Sequence, residues 1–145
     1  MEFKDVLNDL LVERNLTVQD LSKQVSIDDS ILYDYCNGGL PSIKYAVTLA
    51  NYFDCSLSYL MGLVDNPKSF VFSSDYDMRV FSHRYEKLLH DNKTTHFRVS
   101  KDSGLNYSSN YAWKRGSMPA MSSLIIIAHY FDTSIDYLVG RSDKV

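Results

Sequence analysis

The chain has 145 residues, which allows one ordinary domain or two very small ones. Its hydrophobic content of 45% is that of a folded globular protein, and no apolar run approaches the roughly 18 residues that cross a bilayer. The net charge of −3 does not by itself indicate a nucleic-acid partner, and two separated cysteines, Cys36 and Cys55, argue against a disulfide framework or a zinc site. Because the acidic N-terminus does not resemble a signal peptide, we expect a cytoplasmic protein without a membrane partner.

The first half of the sequence predicts five short helices, each with an apolar face. The predicted inward residues, helix by helix, are Phe3, Leu7, Leu10 and Leu11; Leu21 and Val25; Ile43, Val47, Ala50 and Phe53; and Leu57, Leu60 and Met61. The predicted N-caps are Thr17, Asp28 and Ser56. The third helix is expected to end near Asn37, Pro41 to break the chain, and Gly62 to stop the fifth helix.

Residues 64–80 form a predicted connector that is not rich in glycine or serine. Asn66 and Pro67 predict a turn at its start. The apolar run Phe70-Val71-Phe72 predicts a segment packed against a domain or a partner, with a short strand as one form it could take. Met78 is a candidate first residue of the next helix.

The sequence repeats itself without a gap at a constant shift of 78 residues. The clearest match aligns LANYFDCSLSYLMG at 49–62 with IAHYFDTSIDYLVG at 127–140. The second copy therefore predicts the same five helices, with these inward residues: Phe81, Tyr85, Leu88 and Leu89; Trp113; Leu124, Ile127, Ala128 and Phe131; and Leu138. Its predicted caps are Thr95, Asn106 and Ser134, with Pro119 and Gly140 as breakers. We predict an all-α protein of two tandem five-helix domains, 1–63 and 81–145, joined by 64–80.

The charge is divided unevenly between the two copies. Residues 1–63 carry four Lys and Arg against nine Asp and Glu, a net charge of −5. Residues 64–80 carry −1, and residues 81–145, with nine basic and six acidic side chains, carry +3. A basic second half suits an anionic partner and an acidic first half does not.

The order of these motifs resembles that of a known family. Thr17, Leu21, Ser22 and Lys23 form the pattern T-x-x-x-L-S-K, followed by a tight turn, a short helix and Pro41. Each copy closes with a variant of LA-x-Y-F-D-x-S-x-x-Y-L-x-G. Together these residues resemble the repressor/Cro-like (XRE-like) helix-turn-helix family of phage repressors. Both copies lack the Gln that the family often has after the second helix cap, where Val18 and His96 stand, and Ser26 replaces the turn glycine that the second copy keeps as Gly104.

The resemblance implies that the third helix of each copy enters the major groove of double-stranded DNA and that the second helix crosses the phosphate backbone. In the second copy the implied DNA-binding residues are Asn106, Tyr107, Ser108, Ser109, Tyr111, Lys114 and Arg115, with His96, Arg98 and Lys101 on or near the second helix. The equivalent candidates in the first copy are Lys23, Gln24, Asp29, Ser30 and Tyr33. There Asp28, Asp29 and Asp34 would repel phosphate.

Two functions follow from this resemblance and from the charge division. One is a sequence-specific DNA-binding transcriptional regulator, a repressor with the second domain as its main reader, acting as a single chain or as a homodimer. The other is an interaction module or inhibitor whose acidic first domain binds a partner protein. No spacing of catalytic, cofactor-binding or metal-ligating residues is present, so we expect neither an enzyme nor a cofactor.

Overall fold

The computed structural model describes residues 1–145 and contains ten α-helices, one 3-10 turn and no strand. The prediction of an all-α protein is confirmed. The chain divides into two compact units, Met1–Ser69 and Phe70–Val145. None of the ten helices combines the length and the apolar character that a membrane crossing requires.

The first unit contains five helices, and the predicted caps begin three of them. They are α1 (Phe3–Glu13), α2 (Val18–Val25), α3 (Asp29–Cys36), α4 (Ile43–Phe53) and α5 (Leu57–Leu60). Thr17, Asp28 and Ser56 each accept a hydrogen bond from a backbone N–H of the first turn, at 3.0 Å. These bonds satisfy N–H groups that a helix start otherwise leaves unpaired, which is why each helix begins where the sequence predicts it.

The predicted inward residues of the first unit form its core, with one exception. Leu7, Leu21 and Leu60 are fully buried, whereas Val25 at the end of α2 is only half-buried. α1 packs against α3 and α5, and α2 packs against α3 and α4. After α5 the chain turns at Gly62, whose positive φ of 80° is a conformation that glycine favours.

The second unit repeats this helix order. Its helices are α6 (Phe81–Asp91), α7 (His96–Ser103), α8 (Ser109–Lys114), α9 (Met121–Phe131) and α10 (Ile135–Leu138). Four of the five have the bounds of their first-unit equivalents shifted by 78 residues, and α8 begins two residues late. Thr95 and Ser134 cap α7 and α10 as predicted, and Trp113 is buried as predicted.

Two predictions about the helices and core of the second unit are wrong. The N-cap of α8 is Ser108, not Asn106, which lies in the turn before it. Phe131 is only half-buried, although its equivalent Phe53 is in the core. The reason is one neighbouring side chain: Arg14 lies over the ring of Phe53 at 5.4 Å and donates to its carbonyl oxygen. The residue equivalent to Arg14 is Asn92, which is shorter and bonds instead to the carbonyl oxygen of its own helix.

The connector forms no strand, and most of its apolar part belongs to the second unit. Asn66 accepts a hydrogen bond from the backbone N–H of Lys68 at 2.9 Å, which makes the predicted turn. Phe70 and Phe72 are half-buried, whereas Val71 between them is exposed. Met78 lies in the 3-10 turn Met78–Val80 immediately before α6, rather than in the helix itself.

A buried ion pair joins this connector segment to the end of the second unit. The guanidinium of Arg141 donates to the carboxylate of Asp136 at 2.8 Å, and both side chains are fully buried. Arg141 also donates to the carbonyl oxygen of Ser73 at 2.9 Å and lies over the ring of Phe72 at 5.0 Å. Burial of a charge is costly unless it is paired and hydrogen-bonded, and here it is both.

Candidate nucleic-acid interface

The predicted DNA-binding residues of the second unit lie on α7, α8 and the turn between them. All are exposed except Ser109, which is half-buried, and His96, which is buried. The exposed group is Arg98, Lys101, Asn106, Tyr107, Ser108, Tyr111, Lys114 and Arg115. Of these, Tyr107, Tyr111 and Lys114 line one cleft of the surface, where a ligand can contact them.

The prediction that His96 contacts DNA is wrong, because only 8% of its surface is exposed. Its Nε2 lies 2.8 Å from the carbonyl oxygen of Tyr107, and its Nδ1 lies 2.6 Å from the hydroxyl of Tyr85. A carbonyl oxygen can only accept, so Nε2 carries the proton and Tyr85 donates to Nδ1. Burial raises the pKa of Tyr85 far above its usual value, which keeps that hydroxyl protonated. His96 thus connects the turn before α8 to the core, and neither of its ring nitrogens is free to bond a phosphate.

Asn106 uses its side-chain oxygen within the turn. Its Oδ1 accepts from the backbone N–H of Ser108 at 3.0 Å and from the Ser108 hydroxyl at 2.8 Å. An amide oxygen has two acceptor positions, and both are occupied. A bidentate contact with adenine needs this oxygen as an acceptor, so Asn106 keeps only its N–H donors for a base.

The first unit builds the same turn with a carboxylate. Asp28 Oδ1 accepts from the backbone N–H and from the hydroxyl of Ser30, both at 3.0 Å. These hydrogen bonds, the backbone one first, lower the pKa of Asp28, so its charge persists near neutral pH. The two units therefore share the geometry of this turn but not its charge.

The candidate residues of the first unit are all exposed. They are Lys23, Gln24, Asp29, Ser30 and Tyr33. Tyr33 is held by a hydrogen bond of 2.7 Å that its hydroxyl accepts from Gln19 Nε2. Around them, residues 17–40 carry one Lys against four Asp, a net charge of −3, whereas the equivalent residues 95–118 carry four basic side chains against one Asp, a net charge of +3.

Two further residues of the second unit, Phe97 and Asn110, line this surface and were not predicted from the sequence. Phe97, the second residue of α7, is 61% exposed, and Asn110 on α8 lies beside it at a cleft of about 260 Å³. Tyr107, Tyr111 and Lys114 line the same cleft. A comparison of the two copies could have identified them, because Phe97 stands where the first copy has Gln19, and Asn110 where it has Leu32.

One comparison with known proteins gives a match, which lies within the first unit. Residues 7–60 match the model of the helix-turn-helix family. The matched segment runs from α1 through α5, so it includes the whole of α2, α3 and the turn between them. No curated protein and no solved structure matches the chain. A helix-turn-helix domain indicates a DNA-binding transcription regulator, and the structure contains no group of His, Cys, Asp and Glu residues that could hold a metal ion.

Proposed function

We propose that this protein is a sequence-specific transcriptional repressor in which the second unit is a second helix-turn-helix domain and the main reader of DNA. The observation that carries the proposal is the charge at equivalent positions: +3 over residues 95–118 and −3 over residues 17–40. Binding to duplex DNA depends on neutralising phosphates with Lys and Arg, so the basic surface is the favoured one.

In this proposal α8 enters the major groove and α7 crosses the backbone. Lys114 and Arg115 at the end of α8, with Arg98 and Lys101 on α7, contact phosphates. Tyr107, Ser108, Ser109 and Tyr111 face the bases, and Asn106 contributes only an N–H donor. Two such domains, from one chain or from a homodimer, would address half-sites about 34–36 Å apart.

The test begins with selection of bound duplexes from a random pool by the full-length chain. The affinity for the selected site and for a random duplex is then measured across a salt series. A reader of DNA gives a steep negative slope of log affinity against log salt and a tighter complex with the selected site. The absence of any binding at low salt would contradict the proposal.

Lys114→Ala and Arg115→Ala test which unit makes the contacts. Each change should weaken binding to all duplexes alike and reduce the salt slope by roughly one unit, because one phosphate contact is lost. Lys144→Ala, which removes an exposed charge outside α7 and α8, is the matched control and should leave the slope unchanged. Unaltered binding after both Lys114 and Arg115 are replaced would exclude the second unit as the reader.

A second candidate function is an interaction module whose first unit binds a basic protein surface. The observation that favours it is the exposed group Asp28, Asp29 and Asp34, none of which has a basic partner within 4.0 Å. An interaction module of this kind predicts negligible, salt-independent binding to random duplex, which is the opposite outcome in the same salt series.

A further inference from the structure

The second unit exposes three large aromatic side chains together beside α7 and α8. Phe97, Tyr107 and Tyr111 are 61%, 53% and 68% exposed. They line the cleft of about 260 Å³, here called the aromatic cleft, together with Asn110 and Lys114. Single exposed apolar residues are common on protein surfaces, but a contiguous group marks a binding site more often than chance.

The fold does not require two of these rings, whereas the third, Tyr111, has the equivalent Tyr33 in the first unit. Gln19 and Asp29 occupy the positions of Phe97 and Tyr107 in the first unit, where the same turn forms without them. In the second unit the ring of Tyr107 is nevertheless held in place. His96 stacks on it at 5.5 Å, with 26° between the ring planes, and Phe97 meets it edge-on at 5.9 Å. A ring held in this way loses little freedom when a flat ligand stacks near it.

The size and the polar groups of the aromatic cleft fit a nucleobase. An apolar cavity of about 150 Å³ accommodates benzene, so 260 Å³ leaves room for a heterocycle. The Asn110 side chain makes no hydrogen bond within the chain, so its amide offers a donor and an acceptor to the edge of a base. Lys114 has no carboxylate partner within 4.0 Å, which leaves its ammonium for the adjoining phosphate.

We propose that the aromatic cleft binds an unstacked base of single-stranded or locally opened DNA. The base stacks against Phe97, Tyr107 or Tyr111, its edge bonds to Asn110, and its phosphate lies near Lys114. Base–aromatic stacking is the usual means by which proteins hold single strands, since every base has a π face. This inference rests on the proposed function, because it assigns a further DNA structure to the same basic surface.

The experiment compares a labelled 20-nucleotide oligo-dT with a random duplex of the same length, by fluorescence anisotropy with the full-length chain. We expect the single strand to bind at least as tightly as the random duplex. Phe97→Leu and Tyr107→Leu should each weaken single-strand binding about fivefold to a hundredfold, because a stacking ring is lost while apolar bulk is kept. Phe97→Leu should change duplex binding much less, because Phe97 has no part in the proposed duplex contact. Tyr76→Leu, an exposed tyrosine of the connector, is the matched control and should change neither.

Two further measurements make the outcomes distinct. The fluorescence of Trp113, the one tryptophan of the chain, shows whether each variant retains the fold of the second unit. Competition with thymidine monophosphate tests whether the aromatic cleft prefers a strand to a free nucleotide. If thymidine monophosphate displaces the labelled oligo-dT as well as unlabelled oligo-dT does, at equal concentration of bases, the assignment to a strand is overturned. Duplex binding without single-strand binding would overturn this inference alone. Binding to neither would overturn the proposed function as well.

Discussion

The third helices of the two units hold the same place in the helix order but are anchored differently. We call the anchor the residue by which the third helix packs into the core. In α3 the anchor is Leu32, which is fully buried. The equivalent residue of α8 is Asn110, which is half-buried and lines clefts on both sides of the helix, about 260 Å³ beside α7 and about 360 Å³ beside α6. α8 is also two residues shorter than α3. The polar side chain at this position of α8 thus lies beside two clefts, whereas Leu32 has no exposed surface.

Aromatic side chains take over the anchoring in the second unit. Trp113 is buried and meets the rings of Phe81 and Tyr85 edge-on at 5.2 and 5.6 Å. Such pairs add about 0.5–1.5 kcal/mol beyond the burial of their area. One helix order can therefore be stabilised by a buried leucine on the third helix or by an aromatic cluster around it.

The largest difference to test is the buried ion pair, which the first unit lacks because Ser58 and Leu63 stand at the positions of Asp136 and Arg141. Arg141→Leu alone should destabilise the second unit by about 3–5 kcal/mol, since it leaves the carboxylate of Asp136 buried without its partner. The measurement is urea unfolding followed by Trp113 fluorescence. The double variant Asp136→Ser, Arg141→Leu reproduces the first unit and should recover much of the loss. A double variant less stable than Arg141→Leu would contradict this account.

The anchor position should give the next largest effect. Leu32→Ala should cost about 2–5 kcal/mol, the range for truncating a buried leucine, and should appear as a loss of helical circular dichroism at lower urea. Asn110→Leu should instead stabilise the second unit, by about 1 kcal/mol, because it places apolar atoms in a partly open cleft. Destabilisation by Asn110→Leu would show that the amide of Asn110 supports the fold.

The charge difference predicts a smaller effect on DNA binding. Asp28→Asn and Asp29→Asn should leave the affinity of the full-length chain for duplex DNA unchanged or raise it, by at most about fivefold per charge. This upper limit on the change in affinity follows from the Coulomb energy of two unit charges 4 Å apart in water, which is about 1 kcal/mol. Affinity is read by anisotropy at low and high salt, and any increase should disappear at high salt. Weaker binding by either variant would identify the first unit as the reader.

The smallest expected effect is on acid stability. Hydrogen bonds from the backbone and the hydroxyl of Ser30 lower the pKa of Asp28, and those from Thr17 lower the pKa of Asp20. A carboxyl whose folded pKa lies below its unfolded value of about 3.9 contributes stability above that pH and loses it as the pH falls through the folded pKa. The melting temperature should therefore decrease as the pH is lowered below about 4. Asp28→Asn, which keeps the turn as Asn106 does, should reduce that fall, and an unchanged acid profile would contradict this origin.

The sequence by itself determined the helix order of the fold and most of its core. Periodic apolar residues such as Leu7 and Leu60, and caps such as Thr17 and Ser56, act within one or two helical turns, so their effect can be predicted from spacing. The sequence also predicted α7 and the end of α8, which carry the exposed residues Arg98, Lys114 and Arg115, although α8 begins two residues later than the repeat predicts.

Only the tertiary structure decided which side chains of the second unit are covered. His96 is buried because Tyr85, 11 residues away, and the carbonyl oxygen of Tyr107 satisfy both its ring nitrogens. Phe131 is half-buried because Asn92 cannot cover it as Arg14 covers Phe53. The Arg141 pair needs Ser73, 68 residues earlier in the chain. Helical spacing fixes the face on which a residue lies, but its burial and its hydrogen bonds depend on the size and polarity of side chains that distant segments supply.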